Sequence, residues 1–154
     1  VLLAPSEQID AQRLSAALGC VLQHHDALRL GFDQVAGQWQ GTFQDVDAHD
    51  VLWDRSVDDI EALSRLADDA QASFTLGGPL LRAVRVTLAD GAQRLLLVVH
   101  HLVVDGVSWR VLLEDLQGAY QLLAAGQPVA LPAKTSSFKA WAEQVQRYGK
   151  SDDL

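Results

Sequence analysis

The stretch of this sequence with the clearest chemical potential is His100–Trp109, which reads His-His-Leu-Val-Val-Asp-Gly-Val-Ser-Trp. A histidine exchanges protons near neutral pH, so a general acid or base is the role that the adjacent pair His100 and His101 suggests. Asp105 is close enough along the chain to accept a hydrogen bond from an imidazole or to pair with an arginine, and Gly106 permits a turn between them. Proton transfer is therefore the chemistry that this stretch indicates.

A helix is predicted to begin at Ser108, shortly after this turn. Ser108 is a suitable N-cap, and the free N–H groups and positive dipole end of that helix would face the histidines, where they could stabilise an oxyanion. Ser108 could instead be a nucleophile activated by His101, but no Gly-x-Ser-x-Gly elbow surrounds it. A role in a pocket wall is considered only for Trp109, and the other tryptophans are interpreted as packing residues.

Two further interpretations of the pair His100 and His101 stay open. Adjacent histidines at a strand end are often structural, and this pattern alone does not exclude that role. A zinc site is disfavoured because Asp105 is the only other conventional ligand nearby, and adjacent side chains on an extended backbone point to opposite faces. We therefore predict no metal at this site.

An earlier segment contains a second histidine pair and an arginine. His24 and His25 fall at the end of a predicted helix, where their side chains can answer unpaired carbonyls, so we interpret them as structural. Arg29 lies in a short apolar segment and would need an anion if it faced inward, for which Asp105 is the candidate. A solvated Arg29 is the alternative.

The elements around the histidines are predicted from hydrophobic patterns. Leu95–Val99 is continuously apolar, which is typical of a strand covered on both faces, so the histidines would emerge from the centre of the fold. The helix after them is predicted over 108–124, ending before Gly126. Further helices are predicted over 10–25, 58–73 and 137–148. Further strands are predicted over 28–32, 38–43, 51–53, 81–87 and 94–100, with a hairpin turn at Asp90–Gly91.

Composition and charge restrict the class of protein and partner. A chain of 154 residues with 49% hydrophobic content is long enough for one α/β or α+β domain with its own core. Its net charge of -8 disfavours nucleic acid, and no apolar run approaches the length of a membrane span. The single cysteine, Cys20, and the lack of a signal-peptide pattern favour a cytoplasmic setting, and the absence of an initial Met suggests an excised fragment.

The motif resembles a known family. His100, His101, Asp105 and Gly106 match the His-His-x-x-x-Asp-Gly signature of condensation-type domains of nonribosomal peptide synthetases, and the Ser-Trp that follows is similar to the epimerization domains among them. Three other stretches resemble motifs of the same domains, namely residues 24–30 (His-His-Asp-Ala-Leu-Arg-Leu), Trp39–Gln40 and residues 135–141 (Thr-Ser-Ser-Phe-Lys-Ala-Trp).

The resemblance implies an α+β fold of the chloramphenicol-acetyltransferase type, with helices packed on a two-layer mixed sheet. Residues 1–149 would be part of its N-terminal lobe, and residues 150–154 a frayed tail or a connection to a C-terminal lobe that this sequence lacks. It also implies that His101 is catalytic and that Asp105 is structural and paired with Arg29. The opposing acid/base residue would come from the missing lobe, and Glu114 and Asp115 are expected to be solvated.

The resemblance further implies a function in nonribosomal peptide biosynthesis. We expect L-to-D epimerization at the α-carbon of an aminoacyl or peptidyl thioester, carried on the phosphopantetheine arm of a peptidyl carrier protein. The chain itself would bind no cofactor directly, and its partners would be the carrier protein and the C-terminal lobe, with no nucleic acid and no membrane. The alternatives are peptide-bond formation by a condensation domain and a non-catalytic platform that docks a carrier protein.

Overall fold

The computed structural model describes residues 1–150, which form six strands and five α-helices interspersed along the chain. The strands are β1 (Leu2–Leu3), β2 (Leu30–Val35), β3 (Gln38–Phe43), β4 (Leu52–Val57), β5 (Leu81–Leu88) and β6 (Gln93–Val99). The α-helices are α1 (Ala11–His24), α2 (Ala48–Val51), α3 (Ile60–Ala72), α4 (Ser108–Ala124) and α5 (Phe138–Tyr148). The expectation for 150–154 concerns residues of which all but Lys150 lie outside this description.

A four-stranded mixed sheet with the strand order β1-β6-β5-β4 forms the centre of the fold. β5 and β6 form the predicted antiparallel hairpin, in which Leu81 lies opposite Val99, and Gly91 takes the positive φ of 81° that its turn requires. β4 runs parallel to β5 at the sheet edge, and the two-residue β1 covers the other side of β6. The strand that leads to the histidines is therefore interior to the sheet.

Helices cover both faces of this sheet. Leu95 and Leu97 point to the face covered by α1 and α4, whereas Leu96 points to the opposite face, where α3 packs. All three leucines are buried, as the continuous apolar run of β6 predicted. The α+β class and the mixed sheet are thus confirmed.

Side-chain N-caps begin the helices α1, α3 and α5. Asp10 accepts a hydrogen bond from the Arg13 amide at 2.7 Å at the start of α1, and Ser137 accepts one from the Ala140 amide at 3.1 Å before α5. Asp59 does the same for α3, where its carboxylate accepts from the Ala62 amide. Within residues 1–150, no helix is both long enough and apolar enough to cross a membrane.

The structure corrects two of the predicted strands. Leu28 and Arg29 belong to a 3-10 helix, Asp26–Arg29, so that β2 begins only at Leu30. Val51 ends the short helix α2 rather than beginning a strand, and β4 continues to Val57. The Asp26–Arg29 ion pair spans the first of these turns, and Asp47 caps the second by accepting from the His49 amide, so local side-chain contacts outweigh the apolar pattern that suggested a strand.

The interpretation of the tryptophans as packing residues is correct for only part of the set. Trp53 is half-buried and lies against the Arg82 guanidinium, 4.6 Å from its ring centre. Trp39 and Trp141 are 58% and 56% exposed, because β3 and α5 bury no residue in the described part of the chain. These two side chains therefore contribute little to the core of residues 1–150.

Candidate active site

The candidate site lies where the interior strand β6 leaves the sheet. His100 follows its last residue, and the His100 amide donates to the Leu80 carbonyl at 2.9 Å. This hydrogen bond extends the pairing between β6 and β5 by one residue, because Leu80 directly precedes β5. The His100 carbonyl in turn accepts from the Val103 amide at 3.0 Å, and the Val104 side chain is buried at 6% exposure. The loop is thus anchored on both sides of His101.

The two histidines have different surroundings. His100 is half-buried, packs edge-on against the Phe74 ring at 6.1 Å, and accepts a hydrogen bond from the Leu102 amide at its Nδ1, at 3.2 Å. His101 is exposed and has no hydrogen-bond or ion-pair partner among residues 1–150. His100 therefore holds the loop, and the His101 imidazole is available to an incoming molecule.

Asp105 organises the start of α4. Its Oδ1 accepts hydrogen bonds from the Ser108 amide at 2.8 Å and from the Ser108 hydroxyl at 2.6 Å. The hydrogen bond from the Ser108 hydroxyl, followed by that from the amide, lowers the pKa of the Asp105 carboxyl. Asp105 is accordingly an ionised residue that fixes the turn between the histidines and the helix.

The predicted role of Ser108 as N-cap is wrong. Ser108 is the first residue of α4, Val107 precedes it without a capping side chain, and Asp105 supplies the oxygen that accepts from the helix start. The reason is that a carboxylate three residues earlier reaches the same amide and also binds the hydroxyl. Ser108 is thus a hydrogen-bond donor to Asp105 within this loop.

The expected oxyanion site at the start of α4 is not supported either. The amides of Ser108, Trp109 and Arg110 donate to Asp105 Oδ1, the Asp105 carbonyl and the Val107 carbonyl, respectively. In addition, the negative charge of Asp105 lies at the positive end of the helix dipole and offsets it. An anion at this place would compete with a carboxylate that the chain already provides.

Arg29 does not pair with Asp105, which corrects another expectation. Its Nη2 donates to Asp26 Oδ1 at 2.7 Å, and the same oxygen accepts from Lys134 at 2.9 Å. Because Asp26 begins the 3-10 helix that ends at Arg29, the two side chains lie on one side of it, three residues apart. The hydrogen bond from Lys134, together with Arg29, lowers the pKa of the Asp26 carboxyl. Arg29 thus stabilises its own turn.

Gly106 and Trp109 complete the loop. A Cβ atom on Gly106 would meet no atom within 4 Å, and its φ lies outside the left-handed region, so the turn does not require glycine here. Trp109 packs against the core and lines an apolar void of about 20 Å³ with Leu18, Val99 and other core residues. A space of this size holds no more than about one water molecule, so Trp109 is a packing residue rather than the wall of a substrate pocket.

Comparison with known proteins identifies the family. The chain matches the Condensation domain family over residues 1–154. The chain belongs to this family. It is similar to linear gramicidin synthase subunits B and C of Brevibacillus parabrevis, with 44% identity over 162 residues and 45% over 164 residues. Each of these alignments covers 100% of this chain but only 3% and 2% of the relatives, so the chain corresponds to a small part of them.

Solved structures agree with this membership. The epimerization domain from the third module of tyrocidine synthetase B superimposes with a TM-score of 0.89 at 34% identity, covering 99% of this chain and 36% of that one. The X-domain from teicoplanin biosynthesis has a TM-score of 0.81 at 23% identity, which supports the fold. The condensation/epimerization superfamily and the chloramphenicol-acetyltransferase-like fold, both expected from the motif, are confirmed.

One polar contact in this condensation-family chain was missed at the sequence level. Asp115 is 6% exposed rather than solvated, and its Oδ2 lies 2.8 Å from His25 Nε2, whereas Glu114 is exposed as expected. Asp115 follows Leu112 by three residues and precedes Ala119 by four, so it lies on the buried face of α4. That spacing was the available signal.

Proposed function

We propose that this condensation-family chain carries the histidine half of an epimerization site. The observation that supports this most directly is that His101 stands at the exit of the interior strand, exposed and without a partner in residues 1–150, while its neighbour His100 is used to hold the loop. The similarity to the epimerization domain of tyrocidine synthetase B and the Ser108–Trp109 continuation favour epimerization among the activities of the family.

The substrate is an aminoacyl or peptidyl group held as a thioester on the phosphopantetheine arm of a peptidyl carrier protein. The thioester acidifies the α-carbon hydrogen, because the carbonyl can take up, as an enolate, the negative charge that the departing proton leaves on the carbon. The His101 imidazole takes that proton on one face of the α-carbon or returns it there. A second acid/base group must act on the other face, and we assign it to a C-terminal lobe outside this sequence.

Asp105 does not touch the substrate in this proposal. Its two hydrogen bonds to Ser108 fix the turn that follows His101, so it acts as a positioning residue. Stabilisation of the enolate oxygen is not assigned to the start of α4, whose amides already donate within the chain. We assign the group that stabilises the enolate oxygen to the C-terminal lobe as well.

The decisive experiment is exchange of the α-hydrogen with solvent deuterium in the natural polypeptide that carries this chain, loaded with an L-residue. His101→Ala is expected to slow exchange by about 100-fold to 10,000-fold, the usual contribution of a general base. His49→Ala is the matched control, since His49 is exposed on α2. Exchange at the wild-type rate in His101→Ala would overturn the assignment, and intact carrier binding without His101-dependent chemistry would favour a carrier-docking platform.

Peptide-bond formation is the second candidate, because the matching family is the Condensation domain family. In that reaction His101 would assist the attack of an acceptor amine on the thioester. Epimerization and condensation are distinguished by supplying the carrier-bound L-residue alone, without an acceptor, and measuring the chirality of the residue after hydrolysis. D-product supports epimerization. Retention of the L-configuration, with product formed only when an acceptor is added, supports condensation.

A further inference from the structure

A second cluster of chemically active side chains lies away from the His101 loop, where the end of α1 meets the middle of α4. It consists of His24, His25 and Asp115, and each residue offers one ligand atom within 4.8 Å of the others. The rings of His24 and His25 stand edge to face, with centroids 4.9 Å apart. The proposed function uses none of these three residues.

The backbone at the end of α1 explains how two adjacent histidines can converge. His24 is the last helical residue, and His25 is already extended, with φ -95° and ψ 94°. On a regular strand the two side chains would point to opposite faces, which was the argument against a metal at His100 and His101. The change from helical to extended backbone removes that obstacle here.

The charge of Asp115 needs a cationic partner. Its side chain is 7% exposed, and within residues 1–150 no lysine or arginine forms an ion pair with it. Burying a carboxylate without a cationic partner is costly, so a cation bound beside Asp115 would be stabilised there. The last turn of α1 adds the negative end of its helix dipole, which also favours a cation.

We propose that His24, His25 and Asp115 form a binding site for a divalent transition metal, with Zn²⁺ as the best match. Two imidazole nitrogens and one carboxylate oxygen are a donor set that Zn²⁺ accepts, with a water molecule in the fourth position. His25 is 22% exposed at its side chain, so solvent and metal can reach the site. The site cross-links α1 to α4 and is separate from the proposed proton transfer at His101.

Metal binding requires small adjustments only. Ligands around tetrahedral Zn²⁺ lie about 3.4 Å apart, so the 2.8 Å contact between His25 Nε2 and Asp115 opens slightly and His24 moves closer. The metal replaces the proton on His25 Nε2, and the neutral imidazole keeps its remaining proton on Nδ1.

The test is Zn²⁺ uptake by the chelator-treated natural polypeptide that carries this chain, compared with two variants. His24→Ala removes one ligand and leaves the contact between His25 and Asp115, whereas Asp115→Asn keeps the shape and the hydrogen bond to His25 but removes the anionic ligand. Both are expected to weaken uptake at one site by about 100-fold or more. His49→Ala is the control and should bind as the wild type does.

Two readouts besides activity report on the site. Co²⁺ substituted for Zn²⁺ should show the visible absorption of a tetrahedral complex in the wild type and in His49→Ala, but not in the two ligand variants. Zn²⁺ should also raise the unfolding temperature of the wild type more than that of either variant. Equal uptake by the wild type, His24→Ala and Asp115→Asn, or no uptake by the wild type, would overturn the proposal. Neither result would affect the assignment of His101.

Discussion

Asp105 and Ser108 are joined by two hydrogen bonds to a single carboxylate oxygen, one from the amide at 2.8 Å and one from the hydroxyl at 2.6 Å. Because Ser108 is the first residue of α4, this pair connects the loop that carries His101 to the helix packed on the sheet. The loop is therefore held by an ionised side chain at the surface.

Ser108→Ala is expected to raise the pKa of Asp105 toward its ordinary value of 3.8, because the hydroxyl is the largest cause of its lowering. A lowered pKa in the folded state contributes stability that is present above the ordinary value and lost as the pH falls through the folded value. The wild type should thus be more stable than the variant at neutral pH, and the difference should shrink in acid. Carbon-13 NMR titration of the carboxyl and denaturant unfolding at several pH values measure both effects.

The matched control for this prediction is Ser137→Ala. Ser137 also stands at a helix start, where it accepts from the Ala140 amide at 3.1 Å, but among residues 1–150 it makes no hydrogen bond to a carboxylate. Its loss should therefore destabilise the domain to the same extent across the pH range. An Asp105 pKa that stays low in Ser108→Ala would show that the backbone amide alone sets it.

His100 and His101 should respond differently to substitution. His100→Ala removes the acceptor for the Leu102 amide and the contact with Phe74, so we expect a loss of about 0.5–1.5 kcal/mol in stability together with slower α-hydrogen exchange. His100→Asn can place an oxygen near the position of Nδ1 and should restore part of both. His101→Ala should leave the free energy of unfolding nearly unchanged, since His101 is exposed.

Parallel measurements of exchange rate and denaturant unfolding on these three variants separate positioning from catalysis. A positioning role for His100 predicts that activity and stability fall and recover together. Full exchange activity in a destabilised His100→Ala would contradict that role. Loss of stability in His101→Ala as large as that in His100→Ala would show that both histidines are structural.

The sequence was sufficient for those parts of the site that depend on continuous patterns. The apolar run Leu95–Val99 predicted an interior strand, and the helical spacing after Ser108 predicted α4. Both predictions were possible because the spacing of apolar residues along an element indicates which of its side chains are buried. The position of the histidines at the exit of the sheet followed from these two elements. The His-His-x-x-x-Asp-Gly motif supplied the family.

Contacts between distant elements could not be obtained in this way. Arg29 was assigned to Asp105, but Asp26 was three residues away and required no long-range docking. Asp115 was judged by its charge, although its spacing from Leu112 and Ala119 placed it on the buried face. Only the partner of Asp115 depends on how distant elements pack, since His25 at the end of α1 reaches the middle of α4, whereas the Arg29–Asp26 pair lies within one 3-10 turn.

Gly106→Ala tests whether the open space beside the turn admits the substrate. The new methyl group would meet no atom of the chain within 4 Å, and the φ is ordinary, so stability should stay equal or rise by about 0.4–1 kcal/mol. If the substrate approaches this backbone, kcat/KM should nevertheless fall by about tenfold or more. The α-hydrogen exchange rate at several substrate concentrations measures the effect.

Gly118→Ala is the matched control for Gly106→Ala. Gly118 also has open space around its Cα, but it lies inside α4, well past the loop, so alanine should stabilise the helix by about 1 kcal/mol without changing activity. Full activity in Gly106→Ala would mean that the substrate does not pass over this residue.

Leu18→Ala tests the packing beneath the site. Leu18 is 1% exposed, lies on α1, and shares the small apolar void with Trp109 in the first turn of α4. Truncation would enlarge that void, so we expect a loss of about 2–5 kcal/mol in the free energy of unfolding, measured by denaturant titration. Ile60→Ala is the control of similar size, and because Ile60 is 76% exposed, its loss should cost less than about 0.5 kcal/mol. Equal costs for the two variants would contradict a core in which α1 supports the start of α4.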